Sequence, residues 1–319
     1  MVRVRSAGSE QTDSQQVREA VTASVAAFYQ ELPFNCENTA EEMSRTIRQH
    51  NQIAAVYPPL DGVLRGARRG AVLDVGCGIG WFVNTVAYYY GLPAVGIDLA
   101  ELALDQARAV TQQLGLKRRV RYACADLFEA FTEQPDHDER FAVVNSLGVL
   151  HHTHDCRAAL VRIAQLVEPN GFLHVGLYHR YGRRPFLELF EPYRQAYRAA
   201  ATEVERDTVE QQARQLYQEL NPSVTDPTLL RSWCRDQVFH PYETQHTFEE
   251  VYGWLSACGF ECLATSLNQY QAPADWRDLF QEEQKLYGLS YDRNVRERRY
   301  FPGFFVVLAK RRPDTGPRG

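Results

Sequence analysis

The sequence predicts an α/β fold: a mostly parallel sheet covered by helices on both faces, with a helical N-terminal extension and helical insertions. Three observations predict it. Short apolar runs alternate with helix-spaced segments between residues 71 and 178. A glycine-rich hinge joins the first apolar run to the first helix after it. The chain of 319 residues is 45% apolar and 24% charged, enough apolar material for one large core or two modest ones.

The elements follow in order. Residues 14–66 read as helical, with Val21, Val25, Phe28 and Tyr29 at helical spacing. Asn38-x-x-Glu41 and Thr39-x-x-Glu42 both have the form of a capping box, and Pro58-Pro59 interrupts before a short helix. AVLDV (71–75), PAVGID (93–98), RVRYACAD (119–126), FAVVNSLGVL (141–150) and GFLHVGLY (171–178) read as five strands. Between them lie helices at 81–90, at 101–115, closed by Gly115, and at 156–167, where Leu160, Ile163 and Val167 share a face. Pro169-Asn170-Gly171 reads as a turn into the fifth strand. The alternation then stops, and residues 183–235 are polar and mostly helical. Thr247 with Glu250 forms another capping box, before strands at 261–268 and 304–310. The expected organisation is an extension or lid (1–66), an α/β core (67–180), a helical insertion (181–246) and the end of the core with an insertion before the last strand (247–319).

The chemistry is carried by VLDVGCGIG (72–80). Gly76, Gly78 and Gly80 let the backbone turn tightly and approach a ligand closely. A dinucleotide fingerprint would place its third glycine at 81, where this chain has Trp81, so a nicotinamide oxidoreductase is disfavoured. Asp98 ends the second strand, where an acid can accept both ribose hydroxyls. Asp126 follows the third, where a carboxylate can accept from an adenine amino group. Loops at the carboxyl ends of adjacent strands converge on one crevice, so these residues describe a nucleoside site. Read without a ligand, the glycines are a tight turn, Asp98 a helix cap, Asp126 a loop acid and Asn145 a strand terminator.

In this order VLDVGCGIG, VGIDLA (95–100), ADLF (125–128), FAVVNSLGVLHHT (141–153) and LVEPNGFLHVGLY (166–178) resemble the class I S-adenosylmethionine-dependent methyltransferases. The resemblance implies a Rossmann-like seven-stranded sheet with an antiparallel last strand, and S-adenosylmethionine as cofactor. It implies that Asp74 orders the glycine loop near the methionine part, that Asp98 holds the ribose and that Asp126 meets the adenine amine, with Leu99, Leu127 and Asn145 beside them. The family often has an acid where this chain has Asn145.

Methyl transfer needs donor and acceptor held near contact, water excluded and a route for the acceptor's proton. His152, in the cluster His151, His152 and His154, is a candidate base, as is His240. Tyr178 ends the fifth strand at the same sheet edge and completes the catalytic candidates. Tyr181, Arg183 and Arg184 in LYHRYGRRPF (177–186) suit an anionic or planar acceptor, unless they form a solvated basic loop. Residues 231–250 read as a substrate lid that supplies Tyr242 and Glu243. Tyr29, Phe34 and Asn35 are candidates to close the crevice. No metal is expected, because the histidine and cysteine spacings match no familiar site.

Lys plus Arg total 35 against 40 Asp plus Glu, a net charge of −5, which argues against sequence-blind binding to nucleic acid or anionic lipid. Seven scattered cysteines without a CxxC pair fit free thiols in a reducing cytoplasm. The polar start has no signal-like apolar segment, no run is long enough to span a membrane, and the last nine residues read as a tail. The expected function is methyl transfer to a small-molecule, anionic or aromatic acceptor. Alternatives are a tRNA-modifying methyltransferase, for which KRRVR (117–121) and RYGRR (180–184) would form the RNA patch, and a non-catalytic binder of the same cofactor.

Overall fold

Each of the five apolar runs is a parallel strand in the computed structural model: Val72–Val75 (β1), Ala94–Asp98 (β2), Val120–Cys124 (β3), Phe141–Leu147 (β4) and Val167–Tyr178 (β5). Phe260–Thr265 (β6) and Phe304–Arg311 (β7) complete a seven-stranded sheet of order β3-β2-β1-β4-β5-β7-β6, in which β7 runs antiparallel to both neighbours. The structure describes residues 7–32, 34, 39–67, 70–130 and 140–313, the first eight of these by backbone alone. Asn35, Cys36, Asn38 with its capping box, and residues 314–319 of the expected tail lie outside the described residues.

Helices Ala7–Glu31 (α1), Ala40–Gln49 (α2), Gln52–Val56 (α3) and Pro58–Gly66 (α4) precede the sheet. Thr39 and Glu42 make the reciprocal capping box that starts α2. Pro58 opens α4 rather than breaking a helix, since the first helical position needs no N–H. Within the α/β part come Trp81–Tyr89 (α5), Glu101–Gln113 (α6), Leu127–Ala130 (α7) and Cys156–Ala164 (α8). The two sheet faces bury separate clusters. Leu73, Val144, Val175 and Val307 pack with Leu160 and Leu255, while Val72, Val143 and Leu308 pack with Phe82 and Leu64. Strands buried on both faces lack alternation for this reason.

Several boundaries differ from the sequence reading. The helix expected to run to Val167 ends at Ala164, and Val167 opens β5 instead of sharing a helix face with Leu160 and Ile163. Pro169–Gly171 does not precede the fifth strand but lies inside β5 as a bulge. Phe141 pairs with Val167 and Val143 with Phe172, and Asn170 takes φ 64° to absorb the extra residues. β4 stops at Leu147, and the chain enters a short 3-10 turn, Leu150–His152, that carries the histidines. β6 stops at Thr265, before the 3-10 turn Ser266–Asn268.

After β5 come Arg180–Ala199 (α9), Glu203–Leu220 (α10) and Pro227–Phe239 (α11), which gather around Phe186, Phe190, Tyr217 and Leu230 as a further core. His179 starts α9 by accepting from the Gly182 N–H through Nδ1. Phe248–Ala257 (α12) follows with the Thr247–Glu250 capping box. Trp276–Glu282 (α13) and Lys285–Tyr291 (α14) lead to β7. No helix among the described residues is long and apolar enough to cross a membrane.

Candidate active site

The chain passes from β1 to β2 and β3 on one side of the sheet and returns to β4 on the other. This opens a crevice at the carboxyl ends of β1 and β4. A cavity of about 570 Å³ fills it, a size ordinary for a small-molecule site.

One end is built by the glycine hinge. Gly76 takes φ 72°, and a Cβ there would run into the Val149 side chain, so the β1–α5 turn and the loop after β4 close on each other only with glycine. Gly80 is held likewise against Tyr122 and Ala107. Asp98 Oδ2 accepts from the Gly78 N–H at 2.8 Å and Oδ1 from the Ala100 N–H at 2.9 Å. Burial raises the Asp98 pKa, and these backbone donors oppose the rise. Asp126 Oδ1 accepts from the Phe128 N–H at 2.7 Å, and Oδ2 from the Thr22 hydroxyl of α1 at 3.3 Å. Gly76, Gly78, Asp98, Leu99, Asp126 and Leu127 all line the cavity. A floor without a Cβ, two acids at successive strand ends and apolar Leu99 and Leu127 fit a nucleoside: hydroxyls and an amine for the acids, a flat base for the leucines.

Asp74 and Asn145, expected beside the cofactor, do not line the cavity. They form a buried chain beneath it. The Asn145 amide donates to Asp74 Oδ1 at 2.7 Å, and its carbonyl oxygen lies 2.7 Å from His174 Nδ1. Because the amide nitrogen is already directed at Asp74, the oxygen must accept, so Nδ1 of His174 carries the proton. Burial pushes Asp74 up to about 7 and His174 down to about 3.

The other end is aromatic: Tyr29, Tyr178, Trp233, Tyr300 and Phe304, with His152, Asp236 and Gln237 as its polar groups. His152 Nδ1 lies 2.8 Å from the Tyr242 backbone oxygen. A carbonyl only accepts, so Nδ1 carries the proton and Nε2 presents its lone pair. Burial lowers the His152 pKa, with the nearby Asp236 charge opposing, which keeps the ring a free base at neutral pH. Asp236 accepts from the Tyr29 hydroxyl at 2.8 Å and from the Gln237 amide at 2.9 Å. Burial raises its pKa, with His152 opposing.

The remaining expected residues stand elsewhere. His240 does not line the cavity; it stacks on His152 with ring centroids 3.6 Å apart and supports that ring. Tyr178 lines the cavity, but burial holds its hydroxyl protonated far above neutral pH, so it offers a ring face and a neutral phenol rather than a base. Arg183 belongs to no solvated loop and does not line the cavity. It is fully buried, stacks on the Tyr178 ring at 3.8 Å, and pairs bidentately with Glu243 at 3.2 and 2.9 Å. Burial pushes the Glu243 pKa up, and Arg183 more than offsets this, leaving it below its ordinary value. Arg184 pairs with Glu188 at the surface, and Tyr181 packs near His179, away from the cavity. Tyr242 contributes its backbone to His152, while its hydroxyl donates to the His154 carbonyl. Neither Arg183 nor Arg184 lines the cavity.

Sequence reasoning counted Asp236 among the polar groups of the expected lid but passed over Gln237 and Trp233, although the i, i+3, i+4 spacing of Trp233, Asp236 and Gln237 on one helix places them on a common face. Tyr300 and Phe304 carried no such signal: the pairing of β7 with β5 sets Phe304 beside Tyr178, and hydrogen bonds to the Leu220 carbonyl and the Gln237 side chain hold Tyr300. Among the described residues no group of three or more His, Cys, Asp or Glu is arranged to hold a metal.

A methyltransferase-domain family model matches residues 72–171. An uncharacterized protein of Synechococcus is 24% identical over 78% of this chain and 61% of its own length. A ubiquinone biosynthesis O-methyltransferase of Aromatoleum aromaticum is 31% identical over 45% of this chain and 57% of its own length. The chain thus spans about three fifths of these curated relatives. The structure of PKMT2 from Rickettsia typhi, solved in complex with AdoHcy, aligns with a TM-score of 0.50 at 16% identity, covering 83% of this chain and 54% of that one, a likeness of fold.

Proposed function

We propose that residues 72–171, which match a methyltransferase-domain family model, form a class I S-adenosylmethionine-dependent methyltransferase core, and that the protein transfers a methyl group to a small acceptor with an aromatic body and a protonated nucleophile, a hydroxyl foremost. The observation that carries this reading is the continuity of one cavity from the glycine hinge and its two acids to an aromatic end holding a free imidazole nitrogen. When bound, the cofactor supplies an electrophilic methyl on a sulfonium.

The chain's own residues do the rest. Asp98 and Asp126 hold the nucleoside, and Leu99 and Leu127 flank its base. Tyr29, Tyr178 and Tyr300 enclose the reacting end and exclude water, and their ring faces favour a positive charge among them. The Tyr242 carbonyl fixes the His152 tautomer, and Nε2 takes the acceptor's proton as its lone pair attacks. Positioning of this kind contributes roughly 7–11 kcal/mol to such displacements.

Asp98→Ala is expected to weaken S-adenosylhomocysteine binding about a hundredfold, from the loss of charge-assisted hydrogen bonds, while circular dichroism shows a folded chain. Calorimetric titration that returns an unchanged affinity would remove the cofactor assignment.

A further inference from the structure

The cavity wall has a one-sided charge. Among the described residues it contains three carboxylates, Asp98, Asp126 and Asp236, and neither lysine nor arginine. Asp98 and Asp126 stand at the nucleoside end and are absorbed by the cofactor reading. Asp236 stands at the other end, 7% exposed, and among the described residues it enters no ion pair, its side-chain partners being Tyr29 and Gln237. The neighbouring cation, Arg183, is committed to Glu243 and lies behind the Tyr178 ring. Its tie to the Asp236 neighbourhood is indirect, through a 3.0 Å hydrogen bond to the Gln237 side-chain oxygen. The two groups that donate to Asp236, the Tyr29 hydroxyl and the Gln237 amide, are neutral and leave lone pairs on both oxygens.

A buried carboxylate facing a cavity without a countercharge is costly unless a ligand provides one. The surrounding surface, Tyr29, Tyr178, Trp233, Tyr300 and Phe304, is of the kind that accommodates an organic cation, because ring faces attract positive charge. An anionic acceptor would meet Asp236 with like charge in a low-dielectric enclosure.

We propose that the acceptor carries an amino group, bound as its ammonium ion to Asp236 inside this aromatic enclosure, while the hydroxyl to be methylated faces His152. The proposal rests on the methyl-transfer reading and narrows its substrate to amino-bearing aromatic compounds. Asp236 is then a specificity-determining residue on α11, and Tyr29 and Gln237 hold its carboxylate in place.

The test is calorimetric and needs no turnover. Protein saturated with S-adenosylhomocysteine is titrated with tyramine, tyrosol and 3-(4-hydroxyphenyl)propionate, which share a phenol and a two-carbon arm and differ in end-group charge. Tyramine is expected to bind at least about tenfold more tightly than the other two, the scale of one charge-assisted hydrogen bond. Asp236→Asn is isosteric, and it should bring tyramine down to the level of tyrosol while leaving S-adenosylhomocysteine affinity unchanged. No tyramine binding at millimolar concentration, no preference for the cation, or a preference that survives Asp236→Asn overturns the proposal. So does a variant that loses affinity for S-adenosylmethionine and not for S-adenosylhomocysteine, because Asp236 would then serve the sulfonium. The wild-type charge series decides the matter even if the variant fails to fold. Failure of S-adenosylhomocysteine itself to bind overturns instead the cofactor reading beneath it.

Discussion

Asp74 and His174, joined through Asn145 beneath the glycine hinge, are both held neutral by burial at mildly acidic pH, and their effects on stability have opposite signs. Asp74 rises from 3.8 to about 7, so between those values the folded chain binds more protons than the unfolded one. Its contribution is present below pH 3.8 and is lost as pH rises to 7. His174 falls from 6.5 to about 3, so the unfolded chain binds more protons in that window. Its contribution is present above pH 6.5 and is lost as pH falls toward 3. Asp74→Asn removes the first effect alone. Relative to wild type it should gain up to about 4 kcal/mol of stability between pH 4 and pH 7, from the linkage of a three-unit shift. Urea unfolding at stepped pH measures this, and parallel profiles for the two proteins would show that Asp74 is ionised in the fold at low pH. None of this chain was legible in the sequence. Asp74 and Asn145 were expected at the cofactor because they lie in its motifs. Strand alternation turns the two side chains away from the cavity, and only the parallel register of β1, β4 and β5 brings Asp74, Asn145 and His174 side by side.

Elements were easier to read than residues. Hydrophobic runs of five to ten residues marked the strands because burial on both faces demands continuous apolar character, and paired Thr and Glu marked helix starts because the box satisfies orphan N–H groups locally. What the runs did not reveal were their ends, at Leu147, Thr265 and the Pro169–Gly171 bulge, which are set by neighbouring strands. Residues 231–250 were read as one lid, whose last residues are the start of α12. They divide into the end of α11, whose face meets the cavity, and an extended stretch whose backbone orients His152. The Thr202–Glu205 box at the start of α10 is exposed and far in sequence from every cavity residue. Thr202→Ala should therefore lower stability by about 1 kcal/mol and leave S-adenosylhomocysteine affinity unaltered. Denaturation and calorimetry on one preparation check both halves, and a loss of affinity would tie α10 to the site.

At the scale of the molecule, the two basic runs do not combine into a surface for nucleic acid. KRRVR (117–121) enters β3 at its amino end, opposite the sheet edge that bears the cavity, and Arg119 is occupied by the Gly91 carbonyl. In RYGRR (180–184), Arg180 pairs with Glu250, Arg184 with Glu188, and Arg183 is buried. Electrophoresis with tRNA at moderate salt should show no retention, and a complex that weakens as salt rises would restore the RNA reading. α1, by contrast, reaches both ends of the cavity, through Thr22 to Asp126 and through Tyr29 to Asp236, with the Glu31–Arg235 pair securing its end.

Arg183 also bears on redesign. It begins α9, yet it grips Glu243 of the following extended segment and the Gln237 carbonyl of α11 while lying flat under the last ring of β5. Grafting foreign helices onto this sheet to change acceptor choice would strand either a guanidinium or a carboxylate in a dry interior, a defect worth about 3–5 kcal/mol. A successful chimera therefore has to transplant all four positions, 178, 183, 237 and 243, as one heritable block.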